Sequence, residues 1–234
     1  MSTLSICTIC QDESEVIEEF LNCCVYTKAV LQQDLKEVVI VDGGSKDNTL
    51  GIIKRYGEEI PLVLIENLFD TFGKQKNRAL EKVTGDYIFF PDADMSWTKN
   101  FAEVFKAGYY DRAPMWDFHM FFTAKDKYHY FRNWPRGVNM RLWRRGPIFA
   151  TEFHEKLQGQ HSGLPVCQCI TIFENSMRQS DEALLNRGRR YQKFQAQMEA
   201  AGGGPGSETR YLNAAHVPDD EIALLPQNLI NLIL

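Results

Sequence analysis

Over the first hundred residues the chain alternates between short apolar runs and stretches in which apolar residues return every three or four positions. LSICTIC (4–10), EVVIVD (37–42), PLVLIEN (61–67) and DYIFFPDAD (86–94) are the runs. Runs this short, rich in Val, Ile and Phe, predict strands buried on both faces. Between them lie helical patterns: Val16, Phe20 and Cys24 with Ile17, Leu21 and Val25, then Leu50, Ile53 and Tyr56, then KQKNRALEKV (74–83). DESE (12–15) has the composition of a capping box for the first helix, Ser45 is placed to cap the second, and Thr84 with Gly85 to close the third.

The order β-α-β-α-β-α-β predicts an α/β fold, a mostly parallel sheet flanked by helices on both sides. In such a sheet, binding groups gather beyond the carboxyl ends of the strands. Those ends carry Gln11, Asp12 and Glu13, then Asp42 and Ser45, then Glu66 and Asn67, then Asp92 and Asp94. One edge is therefore crowded with acids. After residue 100 the pattern loosens, until a helix is predicted from about Asp181 to Ala200, followed by AGGGPGS (201–207), a flexible linker, and EIALLPQNLINLIL (221–234), an apolar and partly helical tail.

With 234 residues and 44% hydrophobic content the chain can bury one sizeable core. A formal charge of -5 argues against a surface that clings to nucleic acid, and no nucleic-acid partner is expected. No run reaches the roughly 18 apolar residues of a membrane span. The start, MSTLSICTICQDE, lacks the basic head and long apolar middle of a signal peptide. A cytoplasmic protein is expected, with the inner membrane face as the place for any peripheral association. Cys7 and Cys10 fall three apart in a strand and so point to opposite faces, which disfavours a shared metal. The six cysteines read as buried reduced thiols. The tail can dock on the chain's own core, pair with a second copy to form a homo-oligomer, or lie on a membrane; it lacks a basic face, which favours protein.

Asp92 and Asp94, two apart in an extended segment, face the same way and can address one ligand. Magnesium or manganese takes one or two protein carboxylates together with phosphate oxygens, and a pair at a strand end suits that arrangement. The glycines of VDGGSKDNT stand where backbone must approach something closely. No GxGxxG follows the first strand, so nicotinamide binding is not expected. FHEK (153–156) is not a zinc-protease motif, because Gln158 stands where the second histidine is required. The segment 127–146 carries six basic residues and no acid among five aromatics. It can neutralise a diphosphate, stack single-stranded nucleic acid, or simply lay charged stems over buried rings.

ICTICQDES, EVVIVDGGSKDNT, GKQKNRALEKVTGDYIFFPDADM and RLWRRGPIFATEFHEKL, in this order over most of residues 4–157, resemble the GT-A glycosyltransferases of family 2, in particular bacterial sugar transferases of polysaccharide or lipopolysaccharide synthesis with an HE pair after a DxD. The resemblance implies a GT-A domain over 1–200, its nucleotide-sugar half 1–100 and its acceptor half 101–200, then the linker 201–207 and the tail 208–234. It implies that Glu13 and Asp42 contact the nucleoside, with Lys76 and Asn77 lining the same pocket. Asp92 would touch ribose or metal, and Asp94 would bind Mn2+ or Mg2+ directly. His154 would be a metal or phosphate ligand beside the acceptor, and Glu155 would take the acceptor's proton as the catalytic base. Arg141 and Arg144 match the family's RlfRr and would meet the diphosphate or the acceptor. Asp12 stands where the family usually has Asn. Phe173 and Glu174 stand where it often supplies a histidine, leaving His154, His161 or water to complete the metal shell. The implied activity is transfer of a hexose from a nucleoside diphosphate sugar, a UDP-sugar, to a hydroxyl of a carbohydrate, lipid-linked or protein acceptor, with inversion. The rival readings are a nucleotidyltransferase, which should show a glycine-rich basic loop where this chain has CQDESE, and a non-catalytic nucleotide- or sugar-binding module.

Overall fold

The computed structural model of the protein describes residues 2–131, 138–150, 157–159, 163–200 and 222–233. Strands β1 (Leu4–Cys10), β2 (Leu35–Asp42), β3 (Leu62–Glu66) and β4 (Tyr87–Phe89) lie parallel in the order β3-β2-β1-β4. Their crossovers are helices α1 (Ile17–Leu31), α2 (Thr49–Arg55) and α3 (Phe72–Leu80). Val38 through Val41 are fully buried because helices cover both faces. Ile6, Val38 and Ile40 join the cluster that includes Ile17, Phe20 and Leu21 of α1 and Ile53 of α2, while Cys7, Val39 and Val41 join Ala79 of α3 on the other side. Cys10 belongs to the first cluster and Cys7 to the second, as the strand period requires.

Beyond β4 the chain runs through β5 (Met95–Trp97), α4 (Asn100–Lys106), β6 (Met115–Ala124), β7 (His129–Phe131), β8 (Val138–Arg144), β9 (Val166–Glu174) and α5 (Asp181–Ala200) to β10 (Ile222–Leu224) and a last turn of helix, α6 (Gln227–Ile230). The sheet continues as β10-β7-β6-β8-β4, and every pairing along that stretch is antiparallel. The parallel expectation thus describes the first four strands, and β9 beside β6. β6 and β7 are joined by four residues only, a connection that suits antiparallel neighbours. The tail closes on the molecule itself: β10 pairs with β7, Leu225 is buried, and the Lys99 amide donates to the Leu232 carbonyl at 2.9 Å.

Three local expectations are corrected. Helix α1 starts at Ile17 with no side-chain cap, because the DESE acids are engaged elsewhere. Helix α2 starts at Thr49 after Asn48, and Ser45 instead donates its hydroxyl to Asp42. Helix α3 starts at Phe72, where Thr71 Oγ accepts from the Lys74 amide at 3.3 Å, and ends before Thr84 and Gly85. Thr84 binds the buried Glu37 carboxylate through its amide (2.7 Å) and hydroxyl (2.8 Å). Gly85 presses on β1, where a Cβ would lie 2.7 Å from the Ser5 nitrogen.

Phe89, the last residue of β4, sits in an aromatic core with Phe101 (centroids 4.4 Å), Trp97 (5.0 Å) and Phe118 (5.9 Å). Phe89→Ala should destabilise the protein by about 3–5 kcal/mol, lost burial plus a cavity that four rings cannot refill. A urea titration checks this through the fall in midpoint at unchanged slope.

Candidate functional site

The ends of β1, β2 and β4 deliver their acids to one rim, and each acid has a distinct environment. Asp42, almost fully buried, accepts from the amides of Gly44 (2.8 Å) and Ser45 (3.0 Å) and from the Ser45 hydroxyl. Its carboxylate therefore shapes the VDGGS turn. Gly44 adopts φ +92°, which a side chain would resist, and a Cβ added at Gly43 would lie 3.2 Å from Phe69 Cβ and 3.3 Å from the Cys10 carbonyl oxygen. After β1, Asp12 takes φ +54°, a left-handed position that Asn and Asp tolerate better than other side chains. The Asp12 amide donates to Ser45 Oγ at 2.9 Å, so the two turns are tied together.

On one side of the rim stands Asp92. Arg141 grips it with a fork, Nη2 to Oδ2 at 2.9 Å and Nη1 to Oδ1 at 3.2 Å, and Lys76 Nζ lies 3.7 Å from Oδ1. Crowding pushes the Asp92 carboxyl up, but Arg141 and then Lys76 outweigh it and hold it down at about 2. Lys76 is buried, with its ammonium over the rings of Phe149 (5.4 Å) and Phe90 (5.7 Å). Both cations reach the same carboxylate, and the buried Arg141 Nε has no hydrogen-bond partner among the described residues.

On the other side stand Asp94 and Glu13, both joined to Arg187 of α5. Arg187 Nη1 donates to Asp94 Oδ2 at 2.6 Å, and Nη2 donates to both Glu13 oxygens at 2.5 Å. Gln179 adds a bond to Glu13 Oε2 at 3.0 Å. Burial raises the Glu13 carboxyl to about 7 against the opposing pull of Arg187. Arg187 also helps lower Asp92, so the two sides share one field. Asp94 Oδ1 is buried and has no hydrogen-bond partner among the described residues. Arg190, one turn further along α5, binds Asp12 Oδ2 at 2.6 Å. A cavity of about 650 Å3 opens beside these contacts, lined by Gln11, Asp12, Lys46, Asp47, Asn186 and Arg190 among others.

Glu13, Asp42, Lys76, Asp92, Asp94 and Arg141 thus lie along this rim. Asn77 acts as a clamp: its amide donates to the Phe149 carbonyl and its oxygen accepts from the Phe149 amide, both at 2.9 Å, so the side chain holds backbone rather than lining a pocket. Arg144 lies apart from Arg141. It pairs across the sheet with Tyr87, at the opposite end of β4 from Asp92, and its guanidinium lies 5.1 Å from that ring. Three residues along an extended strand cover about 10 Å, so of the two arginines it is Arg141 that reaches Asp92. His154, Glu155 and His161 lie outside the described residues. On either side of 151–156, Phe149 and Leu157 form an antiparallel bridge. The residues missed from the sequence are Arg187, Arg190 and Gln179.

A hard cation at this rim is compatible with the donors present. A buried carboxylate oxygen without a partner, Asp94 Oδ1, is what such an ion would use, and a buried guanidinium N–H without one, Arg141 Nε, suits a phosphate oxygen. Among the described residues no cluster of three or more His, Cys, Asp or Glu could hold a metal by itself. One or two carboxylates with phosphate and water would suit such an ion.

Among known protein families, the model of glycosyl transferase family 2 matches residues 5–170. A TPR repeat-containing protein of Synechococcus elongatus is 31% identical over 94 residues, 40% of this chain and 21% of that protein. Poly-beta-1,6-N-acetyl-D-glucosamine synthase of Staphylococcus aureus is 31% identical over 87 residues, 36% of this chain and 20% of that one. The matches thus span about a fifth of those relatives' length. Among solved structures, the mannosyltransferase PcManGT from Pyrobaculum calidifontis, in complex with GDP-Man and Mn2+, is similar with a TM-score of 0.57 at 18% identity, over 92% of this chain and 69% of that one. That likeness shows a shared fold. Among the described residues no helix is long and apolar enough to cross a membrane.

Proposed function

This chain belongs to glycosyl transferase family 2, and on that premise we propose that it moves a hexose from a nucleoside diphosphate sugar, with a UDP-sugar as the first donor to test, to an acceptor hydroxyl, with inversion and with Mn2+ or Mg2+. The observation that carries this reading is the pair of complementary orphan atoms on one rim: Asp94 Oδ1, an acceptor for a cation, and Arg141 Nε, a donor for an anion. A metal-bound diphosphate would engage both. The bound ion supplies positive charge that stabilises the leaving diphosphate.

The protein's own residues divide the remaining work. Asp94, with Asp92, holds the cation. Lys76 and Arg141, which both reach Asp92, are the cationic groups on this side that would meet the phosphates and the charge they gain as the bond breaks. Glu13 and the Asp42 turn shape the nucleoside end. Glu155 accepts the proton of the acceptor hydroxyl while its oxygen bonds to the anomeric carbon and the sugar–diphosphate bond breaks. The shared fold of the mannosyltransferase with bound GDP-Man and Mn2+ supports the donor class and the cation. It also brings GDP-sugars into the test.

The first test is a thermal-shift screen of UDP, GDP, CDP and dTDP with and without Mn2+. At about 100 times its dissociation constant a ligand stabilises by about 2.7 kcal/mol, which for a domain of this size raises Tm by about 5–10 °C. One nucleotide is expected to do so only when Mn2+ is present, and its sugar conjugate to be consumed on adding acceptor. No shift with any nucleotide overturns the reading. A shift without sugar release or transfer over a broad acceptor panel favours a binding module instead.

A further inference from the structure

Arg187 lies beyond the segment matched by the family model, on a helix that no motif in the first 170 residues anticipates. Yet its side chain reaches the centre of the rim, only 4% of the residue is exposed, and it is the one group among the described residues bonded to both Glu13 and Asp94. From this geometry we infer that Arg187 is a positioning residue for the cation site: it fixes the Asp94 carboxylate so that Oδ1 is left for the metal. The inference rests on the metal-dependent transferase reading above.

A planar guanidinium can satisfy two carboxylates at once from a fixed fork. Here one arm holds Asp94 Oδ2 and the other holds Glu13, and the Asp94 oxygen left over is the one without a partner. The remaining freedom of that carboxylate, rotation about its own bonds, is removed by the Arg187 bond on Oδ2. The Asp94 carbonyl also accepts from the Asn175 amide at 2.8 Å, which fixes the backbone. Without Arg187, two desolvated carboxylates would face each other with no charge between them, and each would turn away.

The fork is itself held rigid. The start of α5 is fastened to the first turn of the fold by Ser180, whose amide and hydroxyl bind Glu15 at 2.5 and 2.7 Å, by Gln179 on Glu13 and by Arg190 on Asp12. Just before it, Arg178 forks onto Glu19 of α1 at 2.9 and 2.5 Å. A metal ligand's outer partner that is placed this firmly sets the ligand's orientation, and its loss typically weakens metal binding about 10- to 100-fold.

The test is Mn2+ uptake followed by the loss of the free-ion signal in electron paramagnetic resonance, in the presence of UDP or GDP as the thermal screen selects. The wild type is compared with R187Q, R187K and R178Q. R187Q is expected to bind Mn2+ about 10- to 100-fold more weakly. R187K, which keeps the charge but can hold only one carboxylate well, should recover part of that loss. R178Q removes the Arg178 bonds to Glu19 and to the Asn175 side chain but none to Glu13 or Asp94, and should stay within about twofold of wild type even where its Tm falls. Uptake by R187Q equal to or tighter than wild type overturns the inference, and tighter uptake would make the guanidinium a competitor of the ion. An equal loss in R178Q overturns it too, because anchoring of α5 alone would then suffice. Should R187Q fail to fold, a wild-type affinity in R187K overturns it. If the wild type takes up no Mn2+ with either nucleotide, the metal-dependent reading fails, and this one with it.

Discussion

Asp94→Asn is expected to cut kcat/KM for the sugar donor by at least about 100-fold, the scale of removing one oriented charge from a site that stabilises a leaving group. Asn keeps the shape and one acceptor, so Arg187 retains a partner in this position and still holds Glu13 with its other arm. What disappears is the charge and the bare oxygen, since the amide carries donors where a cation needs lone pairs. The fold should survive, as circular dichroism and the urea midpoint will report. Initial rates over a range of Mn2+ concentrations locate the defect: a true ligand loss should move the Mn2+ dependence to higher concentration. A variant with kcat/KM within threefold of wild type and an unshifted Mn2+ dependence would remove Asp94 from the metal site.

The first half of the molecule was readable because β1, β2 and β4 are buried on both faces, while β3, at the sheet edge, is only partly buried. Nothing but a strand between two helical layers explains EVVIV between polar stretches, and once four such strands are parallel their ends must share an edge. That logic brought Glu13, Asp42, Asp92 and Asp94 to one rim. It stopped at side-chain engagement. Ser45 looked like a helix cap because a serine precedes a periodic stretch, but the Asp42 carboxylate three residues back competes for the same hydroxyl. Arg141 and Arg144 looked like a pair because they are neighbours in a motif. An antiparallel partner strand separates them, one toward Asp92 and the other toward Tyr87. Arg187 carried no signal: it meets Asp94 across 93 positions, and an arginine on a polar helix looks like any solvated charge. Only the tertiary fold turns it inward.

Glu155→Gln separates chemistry from donor binding, and it is expected to lower kcat about 10²–10⁴-fold, the usual contribution of a positioned general base. The amide is isosteric and cannot take the proton, so the acceptor hydroxyl must attack undeprotonated. Nothing in the proposed donor grip involves Glu155: the cation belongs to Asp94 and the phosphates to Lys76 and Arg141, so the nucleotide- and Mn2+-induced rise in Tm should match wild type. Phe149, six positions before Glu155, is held beside this grip, for Asn77 of α3 clamps it through both backbone groups while Lys76, the preceding residue, lies against the Phe149 ring. Asn77→Ala should therefore weaken transfer as well, through misplacement rather than lost basicity. The two are told apart by pH: raising it supplies hydroxide or a deprotonated acceptor and should partly restore Glu155→Gln, whereas Asn77→Ala should keep the wild-type profile at a lower level. A Glu155→Gln enzyme that transfers sugar within threefold of wild type would leave the base to another residue, and a loss of the nucleotide-induced Tm shift would move Glu155 to the donor side of the reaction.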